Sequence, residues 1–117
     1  MKRIEIIFKP NGEGVLICGA GTFPCLGNPT VIYPTDLTVD PAQPGVKENP
    51  HNSIEYSVPM YYAILIWGQR GIYIHKGPAD LASNGGPSAG CIHLDSGAMR
   101  VYEYVDQKTR VVISYPW

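Results

Sequence analysis

Ser88 and Cys91, three residues apart in the stretch GGPSAGCIHL (85–94), can each serve as a nucleophile. Gly86-Pro87-Ser88-Ala89-Gly90 has the G-x-S-x-G spacing of a hydrolase nucleophile elbow. An elbow needs a strand running into the serine and a helix leaving it, and Gly85-Gly86-Pro87 cannot be a central strand. The only histidine after Ser88 is His93, five residues on, which leaves no room for an acid–His pair in chain order. A thiol is partly ionised near neutral pH, so a single imidazole suffices to activate Cys91. Two are on offer: His75, from a different segment, and His93, two residues past the cysteine. Ala89 and Gly90 are small, so backbone N–H groups there can point at a carbonyl oxygen held over the sulfur.

Two other readings stay open on spacing alone. Cys91 can be a small buried hydrophobe with His75 a satisfied strand-end histidine. Alternatively, Cys91, His93 and His75 can hold a zinc ion with a fourth position open to water. Against zinc stand the expectation that residues two apart diverge on a strand and the absence of a second Cys or a carboxylate at a ligand-like spacing.

The elements around these residues read as strands. Residues 60–67 (MYYAILIW) form an apolar run rich in β formers, expected as a central strand buried on both faces. Gly68-Gln69-Arg70-Gly71 turns it back into Gly71–His75, which delivers His75 at its end before Lys76-Gly77-Pro78. Residues 2–8 and 14–18 predict a β-hairpin around Pro10–Gly14. Residues 19–29 read as loop, and Thr30–Tyr33 as a short strand stopped by Pro34. Ala98–Val105 predicts a helix, capped by Asp95 or Ser96, with Ala98, Val101, Tyr102 and Val105 on one face. Thr109–Tyr115 is a final strand. The expectation is a single mainly-β domain over 1–117 with about six strands and one short helix near the C-terminus. Residues 40–50 (DPAQPGVKENP), with three prolines, predict a surface excursion.

With 117 residues, 44% hydrophobic and 16% charged, the chain has the composition of a globular domain. A net charge of -1 without a basic cluster removes the footprint that nucleic-acid or anionic-membrane binding needs. No run approaches the roughly 20 apolar residues of a membrane-crossing helix. Glu5 and Lys9 interrupt the apolar part of the basic start, so no export signal is expected. Cys18, Cys25 and Cys91 are an odd, sparse set, and Cys18 and Cys25 are expected as two semi-buried thiols rather than a bridge.

Ile72-Tyr73-Ile74-His75-Lys76-Gly77, followed after a loop by Ser88-Ala89-Gly90-Cys91-Ile92-His93-Leu94, resembles the L,D-transpeptidase catalytic domain of YkuD type. That family's signature is a strand ending in His, a variable loop, then Ser/Thr-His-Gly-Cys, a hydrophobic residue and Asn or Arg. Met60–Trp67 resembles its strand before the His, and Val105–Tyr115 its terminal helix end and strand. The resemblance implies a β-sandwich-like or mixed-sheet fold and a cysteine enzyme acting on peptidoglycan stem peptides. Cys91 would attack the carbonyl of the third, diamino-acid residue, release D-Ala and leave a thioester, with His75 as base and then acid. Ser88 would brace the loop or the imidazole, and the N–H groups of Ala89, Gly90 and Cys91 would hold the oxyanion. His93, Lys76, Trp67, Tyr73 and the 40–56 loop are candidate substrate contacts, and no cofactor or metal is expected.

Three departures stand out. Ala89 replaces the usual His, His93 stands where Asn or Arg is usual, and Lys76 interrupts the common His-Gly. Ser-Ala-Gly-Cys variants resemble small effectors injected through a type VI secretion system. That likeness implies action in the bacterial periplasm, a secretion carrier and a cognate immunity protein. A non-catalytic adaptor on the same scaffold is the rival from another class.

Overall fold

Ile4, Ile6 and Phe8 alternate with more exposed residues along β1 (Lys2–Phe8), so one face of the strand is buried. In the computed structural model, which describes residues 1–53 and 58–116, β1 turns through Pro10–Gly12 into β2 (Glu13–Cys18), closing the expected hairpin. β2 continues into β3 (Gly21–Leu26), a segment whose glycines and proline read as loop. Pro24 is tolerated because the neighbour on the far side of β3 reaches only Cys25 and Leu26, leaving the rest of β3 an edge there.

The strand expected at Thr30–Tyr33 is absent. The Asn28 side chain accepts from the Thr30 backbone N–H at 2.9 Å and from its hydroxyl at 2.7 Å, which bends the chain there. The next strand is instead β4 (Asp36–Val39). The described part of the 40–56 loop carries β5 (Lys47–Glu48) and β6 (His51–Asn52), while Ile54, Glu55 and Tyr56 lie outside the described residues. Among the described residues β6 pairs with β7 (Pro59–Met60) alone.

The apolar run 60–67 is not one central strand. Tyr62 sits at a φ of 53°, in the left-handed region, and breaks it into β7 and β8 (Ala63–Trp67). β8 lies one place from the sheet edge, beside β5. The turn at Gly68–Gly71 then leads into β9 (Ile72–Lys76), which runs one residue past His75.

A four-residue helix α1 (Leu81–Asn84) precedes β10 (Ile92–Leu94). The chain closes with α2 (Ala98–Tyr104) and β11 (Thr109–Ser114). Ala98, Val101 and Val105 of the expected helix face are buried, and Tyr102 packs partly buried against the core. Neither Asp95 nor Ser96 caps α2: the N-cap is Gly97, with no side-chain bond.

The curled mixed sheet has the order β4-β11-β1-β2-β3-β10-β9-β8-β5. Two neighbour pairs are parallel, β1 with β11 and β9 with β10. Among the described residues there are eleven strands and two helices, against the expected six and one; the surplus strands are mostly two to four residues long. Ile72, Ile74, Ile92 and Leu94 point from β9 and β10 into the core with Ile4, Ile6, Leu16 and Val101. The alternate residues of β9 and β10 therefore share the opposite face.

Candidate active site

Those alternate residues are Tyr73 and His75 on β9 and His93 on β10, with Cys91 one residue before β10. The parallel register sets His93 beside His75 and Ile92 beside Ile74. The two imidazoles meet edge to face, ring centres 4.8 Å apart. Cys91 lies beside Tyr73, whose backbone N–H donates to the sulfur at 3.4 Å. Cys91, His75, His93, Lys76, Gly77, Pro78, Asn84 and Ala89 line one cleft of about 380 Å³, closed on another side by Val58, Pro59 and Met60. That volume lies in the range of small-ligand sites. The expectation that Cys91 and His93 diverge is thus corrected, since both line the cleft. Among the described residues no group of three or more His, Cys, Asp or Glu side chains is placed to hold a metal ion, so the zinc alternative finds no ligand set there.

The hydrogen bonds fix the tautomers. His75 Nδ1 lies 2.8 Å from the Lys76 carbonyl and His93 Nδ1 3.0 Å from the Pro78 carbonyl. A carbonyl oxygen only accepts, so each neutral ring carries its proton on Nδ1 and its lone pair on Nε2. Burial, with smaller contributions from His93 and His51, pushes His75 down to about 4, against the opposing pull of the Lys76 carbonyl. Burial lowers His93 as well. Both rings are neutral at pH 7 and able to accept a proton.

The loop that presents Cys91 is held from below. Ser88, 3% exposed, donates from Oγ to the Cys91 carbonyl at 2.6 Å and accepts the Gly90 N–H at 3.2 Å. Gly90, one of three amides expected to hold an oxyanion, is therefore engaged with Ser88. Its φ of 149° lies where side chains are disfavoured. The Ser88 N–H donates to the Gly27 carbonyl, and Asn28 Nδ2 donates to the Ser88 carbonyl at 2.7 Å. Tyr33 donates its hydroxyl to the Gly90 carbonyl at 2.6 Å and accepts the Asn28 N–H at 3.0 Å. Burial pushes the Tyr33 phenol up to about 12, so it stays a donor.

Trp67 is not among the residues lining the cleft; it packs against the core beneath the Arg70 guanidinium. Tyr73 borders the sulfur through its backbone, while its ring stacks on His51 at 4.5 Å. His51, whose Nδ1 lies 2.8 Å from Glu48 Oε1, escaped sequence reasoning, as did Asn28 and Tyr33. His51 lies on the two-residue strand β6, where it pairs with Met60 of β7. Among the described residues no disulfide forms: Cys18 pairs with Gly21 and Cys25 with Gly14, four rungs apart on the hairpin.

A family model described as the L,D-transpeptidase catalytic domain, YkuD, matches residues 20–113, and the chain belongs to that family. Among solved structures it is similar to the L,D-transpeptidase (Yku) from Stackebrandtia nassauensis, with a TM-score of 0.65 and 18% identity over 95% of this chain and 55% of that one. It is also similar to L,D-transpeptidase 1 of Mycobacterium tuberculosis, with a TM-score of 0.57 and 16% identity over 95% of this chain and 60% of that one. At those identities the likeness is one of fold, and the chain spans little more than half the length of these structures. No curated protein sequence matches it.

Proposed function

We propose that the protein is a cysteine-dependent peptidoglycan enzyme acting on tetrapeptide stems through a thioester. The observation that supports this best is that Cys91 and His75 line the same cleft in a chain belonging to the L,D-transpeptidase family. His75 Nε2 takes the thiol proton as Sγ attacks the carbonyl of the third stem residue. The carbon–nitrogen bond then breaks, His75 returns the proton to the departing D-Ala amine, and the acyl group stays on sulfur. The N–H groups of Ala89 and Cys91 hold the oxyanion, with Gly90 fixed by Ser88 and Tyr33. Water resolves the thioester to give L,D-carboxypeptidase activity; a D-amino acid amine resolves it to give exchange.

The test is to incubate the protein with purified tetrapeptide muropeptides and weigh the products. Loss of one alanine, or its replacement by added D-methionine, supports the reading, and unchanged tetrapeptide refutes it. Use as an injected antibacterial effector is a further part of the proposal, supported by Ser88-Ala89-Gly90-Cys91. Periplasmic expression in a susceptible bacterium should lyse it when the wild-type chain is used and spare it when Cys91→Ala is used.

A further inference from the structure

We propose that His93 is a second catalytic base that activates the acceptor, so that the two halves of the thioester cycle are divided between the two imidazoles. The inference rests on the cysteine-enzyme reading above.

Three geometric observations carry it. His93 faces His75 in the β9–β10 register and lines the same cleft as Cys91. Its ring is held at two points: Nδ1–H donates to the Pro78 carbonyl, and Gly77 packs closely against the imidazole. A Cβ at Gly77 would stand 2.9 Å from His93 Cγ and 3.0 Å from Nδ1, so this approach needs glycine. The Gly77 N–H is itself tied to the Leu94 carbonyl, which anchors the segment to β10. Gly77 against the ring and the Pro78 carbonyl at Nδ1 together fix where His93 sits.

With Nδ1 engaged, the lone pair sits on Nε2, as it does in His75. In the first half His75 carries the thiol's proton to the departing amine. In the second half His93 Nε2 removes a proton from water as its oxygen bonds to the thioester carbon. The carbon–sulfur bond then breaks, the Cys91 thiolate leaves, and it recovers that proton from His93. The products are a carboxylic acid and the free thiol, so no redox partner is involved. An amine acceptor follows the same path and yields an amide.

The probe is p-nitrophenyl acetate, which acylates a reactive thiol without needing peptidoglycan recognition. Wild type should give a nitrophenolate burst followed by steady turnover, both absent in Cys91→Ala. His93→Gln should keep the burst within about twofold and lose about a hundredfold in steady turnover, the usual worth of a general base. The acetyl-enzyme should then accumulate in acid-quenched mass spectra. His75→Gln should lose the burst itself. Unchanged turnover in His93→Gln, or loss of its burst together with that of Gly77→Ala, overturns the division of labour, as does a wild type with no burst. Ester turnover without tetrapeptide turnover would refute the peptidoglycan substrate and leave the base assignment standing.

Discussion

Tyr33→Phe removes a single hydroxyl and isolates what holds the Cys91 loop. The ring stacks on Phe8 at 5.2 Å, and phenylalanine keeps that stack, so the change is confined to hydrogen bonding. Two partners are lost: the Gly90 carbonyl, which the hydroxyl reaches at 2.6 Å, and the Asn28 N–H, which it accepts at 3.0 Å. Tyr33 is 2% exposed and Gly90 is buried, so the carbonyl is left without water and costs about 1–3 kcal/mol. The half-buried Asn28 N–H adds about 1 kcal/mol. The sum is about 2–4 kcal/mol, or roughly 8–16 °C in Tm at about 4 °C per kcal/mol for a chain of this length. Scanning calorimetry reads the shift. Iodoacetamide labelling of Cys91 reads whether the loop has loosened, and its rate should change at least severalfold. A Tm within about 2 °C of wild type, with unaltered labelling, would refute the view that Tyr33 fixes the loop.

Three shorter tests follow. A thiol-reactive probe at neutral pH should mark Cys91 and leave Cys25 untouched, since Cys25 is fully buried and its thiol is pushed up to about 12; peptide mapping reads the ratio. His75 is held at about 4 in the folded chain against about 6.5 unfolded, so the unfolded state takes up a proton first as pH falls. Stability should therefore drop between about pH 6.5 and 4 by at most about 3 kcal/mol, and urea titrations showing a flat profile there would contradict the neutral imidazole. Gly90→Ala puts a side chain at a φ of 149° and its Cβ 3.3 Å from Ile72 Cδ1, so it should lose about 1–3 kcal/mol by thermal melt and also slow Cys91 labelling.

The parts of this fold legible in the sequence are those written locally. The β1–β2 and β8–β9 hairpins show as apolar runs around turn residues, and the α2 face shows as a helical period. His75, Ser88 and Cys91 stand out because chemistry-bearing residues there sit among glycines at strand ends. What escaped depends on partners distant in sequence. β3 carries Gly21 and Pro24, which locally argue for loop, and becomes a strand because β2 lies along all six of its residues. The apolar stretch 60–67 is divided by the backbone at Tyr62, which hydropathy does not register. The parallel pairing of β9 with β10 puts His93 beside His75, and no local pattern around either histidine announces it. Asn28 and Tyr33 lie some sixty residues from the loop they hold, and the Glu48–His51 pair arrives through two-residue strands.

The most direct measurement is the mass of the protein itself. Wild-type chain mixed with a tetrapeptide stem and quenched in acid within the first turnover should carry the stem less its terminal alanine, on the peptide containing Cys91. An unmodified mass while the stem is being trimmed, or an adduct mapped to any other residue, would contradict a thioester on Cys91.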